Sequence, residues 1–505
     1  MRKFFQKNYL AILIVLLICG FLVRLYRIDN PIADWQSWRQ ADTGAVTRNF
    51  VEHGLDLLHP RINNISNVQS GLDNPQGYFF AEFPIYNATS ASLYLLFHGL
   101  TLIEWERIVT ILASVFAGLF LYLIVERHSN KTLGLLAAFF YLFIPYDIYY
   151  GRVILPDTSM VMASLGGIYF FDRYLGVIAR NPASPETKQS HKKGIAAYPS
   201  GTLNDGKYYF YILAILFTAL AFLLKPYALF FVLPMVVLSY NKWKWKFFLQ
   251  WQLWLFMILS VIPLVLWRVW MLQYPEGIPA NAWLFNSNHI RFRPAFFRWI
   301  LYERVTKLMS GYLGVVILLF GVYKFRRQKD WLLFTSFLVS SIIYVCTIAT
   351  GNVQHDYYQI LIMPSLAIFF AIGAFYLHQW TIKKFPAGII ILTICVISLF
   401  YFGWQQVQPY FDIDNPSIIA AGEAVQKLTP KNALIIANYE GDSAFLYQTD
   451  RQGWASYEHD LPTLHKMGAQ YLVLANPTPQ DMQFAKQYKV IAHTNQFVIF
   501  DLSKK

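Results

Sequence analysis

The feature that most constrains this chain is a recurrence of apolar runs. Eleven of them, 12 to 24 residues long, are separated by short segments in which basic residues cluster. They fall at 9–25, 108–125, 133–149, 159–175, 208–223, 228–240, 247–270, 312–323, 331–348, 360–377 and 387–404. A helix of about 20 apolar residues crosses the ~30 Å hydrocarbon core of a bilayer, and the shorter runs reach that length with their aromatic flanks. Only 14% of the 505 residues are charged and 56% are hydrophobic, whereas an average soluble domain is about 25% charged. The pattern is that of a polytopic helical membrane protein rather than a cytosolic enzyme.

The formal net charge of +13 has a topological explanation. Basic clusters that interrupt apolar runs mark cytoplasmic loops, so they do not point to nucleic acid. Arg2 and Lys3 place the N-terminus in the cytoplasm. No small-residue cleavage site follows the first run, which therefore reads as an uncleaved span. The segment 85–103 decides the parity of the rest. If it spans, the clusters at Arg127/Lys131, Lys242/Lys244/Lys246, Lys324/Arg326/Arg327/Lys329 and Lys383/Lys384 all face outward. If it lies in the interface, all of them face the cytoplasm, as the rule requires. Its first half is polar (Asn87, Thr89, Ser90, Ser92), so an interfacial juxtamembrane helix is expected.

This assigns 1–405 to a membrane domain of eleven spans, with a long first outer loop at 27–106. The Pro/Ser/Lys-rich stretch 177–207 reads as a flexible cytoplasmic loop. After residue 405 the composition is that of a small soluble domain. Alternating strand and helix patterns over 406–505 predict an α/β module on the outer face. It carries no phosphate loop or nucleophile motif. Cys19, Cys346 and Cys395 lie inside apolar runs, with neither metal-ligand nor disulfide spacing.

Charged residues at the membrane boundary are costly and default to functional candidates. The first outer loop holds Asp34, Arg39 and Asp42. Either carboxylate could act as a general base on a substrate hydroxyl, or Asp34 could cap a helix while Asp42 pairs with Arg39. Where a span begins from outside, Pro156 and Asp157 fit a helix start, but Arg152 has no such structural excuse. Lys225 stands between two apolar runs and requires either a remote carboxylate or a ligand phosphate. His355, Tyr357 and Tyr358 form an outer polar-aromatic cluster. Together these groups suit a substrate carrying both phosphate and lipid.

At these residues the chain resembles the GT-C superfamily of integral-membrane glycosyltransferases, particularly the protein O-mannosyltransferase and aminoarabinose lipid A transferase group. The resemblance covers about residues 8–405. It rests on Glu82-Phe83-Pro84-Ile85-Tyr86 before a juxtamembrane helix, Gly151-Arg152 through Pro156-Asp157 opening a span, Lys225-Pro226, and His355-Asp356-Tyr357-Tyr358. The Thr47-Arg48-Asn49 tail of the first-loop helix is present, but the adjacent Asp-Glu pair of the family is absent.

The resemblance implies a polyprenyl-phosphate sugar donor and inverting transfer to a hydroxyl of a lipid, protein or glycan acceptor on the non-cytoplasmic face, as in a bacterial plasma membrane. Asp34, or alternatively Asp42, would be the base. Arg152, Lys225, His355, Tyr357 and Tyr358 would bind the donor phosphate, with Arg39, Glu82 and Asp157 completing the site. No cofactor is expected, although Glu82 and Asp157 could ligate a divalent ion. Two other activities share the topology. A lipid-linked-sugar flippase or transporter should show internal repeats and mid-membrane charges, and neither is evident. A lipid-diphosphate-dependent polymerase or ligase is the other.

Overall fold

The computed structural model describes residues 2–179 and 200–503. Most of the linker expected at 177–207 lies outside the described residues. The membrane-type body begins with α1 (Arg2–Val23), kinked at Asn8. Next come α2 (Ser37–His53), α3 (Ile85–Leu96), α4 (Leu102–His128), α5 (Lys131–Phe143), α6 (Pro145–Tyr150) and α7 (Asp157–Ala179). After the undescribed segment follow α8 (Ser200–Leu224), α9 (Val232–Trp243) and α10 (Trp251–Met271). The short α11 (Trp283–Asn286) and α12 (Pro294–Phe297) precede a π-helical stretch, Arg298–Met309. Then come α13 (Gly314–Lys324), α14 (Trp331–Thr347), α15 (Ala349–Gln354), α16 (Met363–His378) and α17 (Ala387–Val407).

Each of the eleven apolar runs is largely helical, with breaks at Ile144 and Gln250 and a 3-10 start, Pro226–Phe231, to the sixth. Among the described residues, four helical segments are long and apolar enough to cross a membrane, or five if the pair bent by 112° around residue 311 is one span. Four shorter apolar helices accompany them. The segment 85–103 differs from a span: α3 has only 12 residues, about 18 Å of helix, too little for the ~30 Å core. The chain then restarts at Thr101, whose hydroxyl and the Glu104 side chain form a reciprocal capping box for α4.

The segment leading into α16, Asp356–His378, is the most enclosed of the long ones, with 89% of its apolar window buried, against 17% for α10. It packs on α13 through facing glycines. A Cβ on Gly321 would sit 1.9 Å from the Phe369 carbonyl, and one on Gly373 1.8 Å from that of Ile317. Only hydrogen at both positions permits this backbone approach. α10 is correspondingly peripheral, with Leu266 and Val269 exposed, as expected of a helix facing lipid.

The C-terminal domain contains α18 (Pro416–Leu428), β1 (Leu434–Ala437), α19 (Ser443–Thr449), β2 (Gln452–Trp454), α20 (Leu461–Lys466), β3 (Tyr471–Ala475), β4 (Lys489–His493) and β5 (Phe497–Asp501). Its sheet order is β2-β1-β3-β5-β4, with the first three strands parallel and the last two pairings antiparallel. The sequence reading lacked α19 and β2. Between β3 and β4 lies a six-residue 3-10 helix, Asp481–Lys486.

Candidate active site

The singled-out residues separate into neighbouring clusters around α2 instead of lining one cavity. Asp34, in the turn before α2, is fully buried. Gln40 Nε2 donates to its Oδ1 at 2.7 Å and Arg152 Nη2 to its Oδ2 at 2.8 Å. Arg107 Nη2 stands 3.7 Å from Oδ2. Arg107 also donates to the Ile28 and Asn30 carbonyls, and Arg152 to that of Arg27. One carboxylate thus faces two guanidiniums that also grip the backbone of the preceding loop. That arrangement ties α4 and the 151–156 segment to the start of the loop that precedes α2.

The second cluster lies one residue from Gln40. Arg39 Nη2 donates to Glu82 Oε1 at 2.5 Å, and Lys225 Nζ lies 3.5 Å from the same oxygen. Lys225 Nζ is also 2.9 Å from both oxygens of Asp157. Three tyrosine rings surround this ammonium, those of Tyr227, Tyr357 and Tyr358, with centroids at 5.9, 5.7 and 5.9 Å. The quadrupoles of their faces favour a cation. Burial alone would raise the Glu82 carboxyl, but Arg39 and Lys225 outweigh it and hold Glu82 below its ordinary value. Lys225 therefore has carboxylate partners, the first of the two expectations for it. The half-buried Arg268 of α10 donates to the Met271 sulfur at 3.5 Å. The two carboxylates here, Glu82 and Asp157, are paired with two cations, Arg39 and Lys225.

Asp42, one turn beyond Arg39 in α2, is 1% exposed. Ser443 Oγ donates to its Oδ1 at 2.7 Å, and Gln69 Nε2 to its Oδ2 at 3.2 Å. Burial raises its carboxyl to about 6, against the opposing pull of Arg39, Ser443 and Gln69. Asp42 thus differs from Asp34 in being held chiefly by neutral donors.

His355 sits among rings, with centroids 5.4 Å from Trp38, 5.8 Å from Trp283 and 5.6 Å from Tyr357. Burial, with a smaller contribution from Arg304, lowers its pKa despite Asp356. The adjacent Asp356 is fully buried and accepts from Trp35, Gln36, Tyr150 and Tyr410 at 2.6–3.1 Å.

An apolar groove of about 320 Å³ lies between α7, α8, α9 and α10. Its lining includes Phe222, three residues before Lys225, and Leu229, four residues after it. It extends past Met235 and Ser239 to Phe247 and Phe248, beside the basic 242–246 segment. Glu82 is paired with Arg39 and Lys225, and Asp157 with Lys225. Among the described residues, the group whose ligand atoms lie within 4.8 Å of one another is Asp73, Glu458 and His459, on the seam between the first outer loop and the C-terminal domain.

Arg107, Arg268, Gln69 and Ser443 were not among the residues singled out from the sequence, and Asp356 stood there only as a member of the His355–Tyr358 motif. The Glu106-Arg107 pair at the head of an apolar run and Arg268 inside one carried the same signal as Arg152. Gln69 and Ser443 carried none, being ordinary polar residues in loop and domain.

The helical body, with its short helices between α1 and α4 and its small C-terminal sheet domain, has the fold of solved structures of two other proteins. ArnT from Cupriavidus metallidurans is similar in its apo state at 12% identity over 98% of both chains, with a TM-score of 0.65. The same protein bound to undecaprenyl phosphate gives 13% identity, 98% of both chains and a TM-score of 0.63. The oligosaccharyltransferase AglB from Archaeoglobus fulgidus, in complex with an inhibitory peptide and a dolichol-phosphate, is similar at 11% identity. There the match covers 98% of this chain and 74% of that one, with a TM-score of 0.57. At these identities the likeness is one of fold. No protein-family model matches the chain, and no curated protein matches it in sequence.

Proposed function

We propose that the chain is a membrane glycosyltransferase that moves a sugar from a polyprenyl-phosphate donor to an acceptor hydroxyl on the non-cytoplasmic face. The observation that supports this reading is the buried Lys225, ringed by three tyrosines, in the short connection between Phe222 and Leu229, both of which line the apolar groove. A ligand matching both parts has a phosphate head and a long hydrocarbon tail. Two of the solved proteins of the same fold contain such lipids, undecaprenyl phosphate and a dolichol-phosphate.

In this scheme Lys225, Arg39 and Arg268 receive the donor phosphate, and the tail follows the groove. Asp42 is the base. With a pKa of about 6 it is mostly ionised at neutral pH yet still able to take a proton, the match that general-base catalysis favours. The acceptor oxygen forms a bond to the anomeric carbon as its proton passes to Asp42. The bond from that carbon to the phosphate oxygen breaks, the electron pair leaves with the phosphate, and the configuration inverts. The surrounding cations stabilise the charge that develops on the leaving group, so no metal is required. Asp34, clasped by Arg152 and neighbouring Arg107, holds the loop in which α2 begins.

The test is transfer from labelled polyprenyl-phosphate sugars to membrane acceptors in proteoliposomes, comparing wild type with Asp42→Asn and Lys225→Met. Loss of transfer in both variants, with Asp34→Asn affecting chiefly stability, is expected. Wild-type turnover in Asp42→Asn would remove the base assignment. Translocation of intact donor without transfer would instead establish a flippase.

A further inference from the structure

The C-terminal domain has a clear mechanical attachment and one contact that mechanics does not explain. Arg48 of α2 donates to the Tyr447 carbonyl at 3.0 Å, lies 3.7 Å from the Tyr447 ring centroid and pairs with Asp450 at 3.1 Å. Gln448 reaches back to the Ile32 carbonyl at 2.8 Å. These bonds clamp α19 along α2. At the front of the clamp, the Ser443 hydroxyl has two acceptors within range, the Trp38 carbonyl at 3.0 Å and Asp42 Oδ1 at 2.7 Å. A hydroxyl has a single hydrogen to donate, and the shorter, charge-assisted bond is the stronger.

We propose that Ser443 is a positioning residue for Asp42, so that the C-terminal domain completes the catalytic site of the membrane domain. This rests on the reading of Asp42 as the base. By occupying Oδ1, Ser443 fixes the carboxylate plane and leaves Oδ2 as the oxygen that meets the acceptor. Gln69 Nε2 holds that second oxygen by a longer bond, 3.2 Å, and marks where the acceptor hydroxyl donates.

The charged groups facing Asp42 are Arg39 from its own helix, Glu82 from the loop before α3, and Asp442 from the cap of α19. Asp442 is itself raised to about 6, by burial first, with Asp42 and Asp414 adding to the effect and the Ala444 amide opposing it. Ser443 therefore opposes both burial and two neighbouring acids in keeping Asp42 ionised. One hydrogen bond to a charged group corresponds to roughly one pK unit.

The experiment is the pH profile of transfer by the full-length protein, using a labelled polyprenyl-phosphate sugar, for wild type, Ser443→Ala and Ser443→Thr. In Ser443→Ala the acid limb of the profile is expected to move up by about one pH unit. The rate then falls about tenfold near pH 5 and much less above about pH 8. Ser443→Thr keeps the hydroxyl and should restore the wild-type limb. A uniform loss at all pH values, or an unmoved limb, overturns the proposal. If the alanine variant does not fold, Ser443→Cys, a weaker donor of similar size, must move the limb in the same direction; an unmoved limb there is equally decisive. Asp42→Asn separates the two readings. If that variant is active the base assignment has failed, whereas an inactive Asp42→Asn with an unmoved Ser443→Ala limb retires only the role given to Ser443.

Discussion

Replacing Asp42 by asparagine should make the protein less active and more stable at once, and only above a defined pH. The folded-state carboxyl lies at about 6, against 3.8 for an unperturbed group. A folded pKa above the unfolded value means that the fold disfavours the ionised form. The favourable contribution is therefore complete below the unfolded value and is lost as the pH rises through about 6. The gap of about two units corresponds to about 3 kcal/mol at about pH 8. Asparagine keeps the shape and an acceptor for Ser443 while carrying no charge. Asp42→Asn should thus unfold at a higher temperature than wild type at about pH 8, with the difference shrinking toward zero near pH 4. Thermal unfolding in detergent, followed by the fluorescence of the 15 tryptophans, measures this directly. Transfer should meanwhile drop about 10²–10⁴-fold, the usual contribution of a general base. A stability difference that is independent of pH, or that favours wild type at about pH 8, would refute the burial argument behind the base assignment.

Three other outcomes follow from the same geometry. Lys225→Met leaves Glu82 and Asp157 without their shared ammonium; it should destabilise the protein by about 3–5 kcal/mol and abolish the thermal stabilisation produced by added polyprenyl phosphate. Asp34→Ala strands two buried guanidiniums and should cost about as much, seen as loss of monodisperse protein in detergent; a large rate loss with unchanged melting would instead restore Asp34 to the chemistry. Met235→Trp fills part of the apolar groove and should raise KM for a long-chain polyprenyl-phosphate sugar while leaving a short-chain analogue nearly unaffected, as steady-state kinetics with both donors would show.

Much of the fold was legible because apolar periodicity and charge placement are local signals. The apolar runs that become helices and the α/β character of 406–505 follow from them. The smaller elements α19 and β2 were not legible, because seven- and three-residue pieces depend on packing against α2 and β1 rather than on their own pattern. In the site, Arg39 and Lys225 were visible as costly boundary charges, Asp157 as a helix-start acid, Tyr357 and Tyr358 as part of a polar-aromatic cluster and Glu82 through the family resemblance, but their pairing was not. No spacing rule relates Lys225 to Asp157, 68 positions away, or Ser443 to Asp42, 401 positions away. The choice between Asp34 and Asp42 likewise turns on what surrounds each carboxylate, which only the folded chain supplies.

The Asp356 carboxylate bears on the order in which the molecule can be assembled. Its donors come from residues 35–36, from Tyr150 and from Tyr410, so early, middle and late parts of the chain meet at one group. Membrane insertion proceeds from the N-terminus, yet the first outer loop cannot reach its final state until residue 356 has been delivered and residue 410 has followed it. Through most of biosynthesis that loop must wait, unlocked, at the membrane surface. The last fifth of the polypeptide then closes the structure, and a chain terminated before Tyr410 would hold Arg39, Glu82, Asp157 and Lys225 but lack the hydroxyl that donates to Asp356.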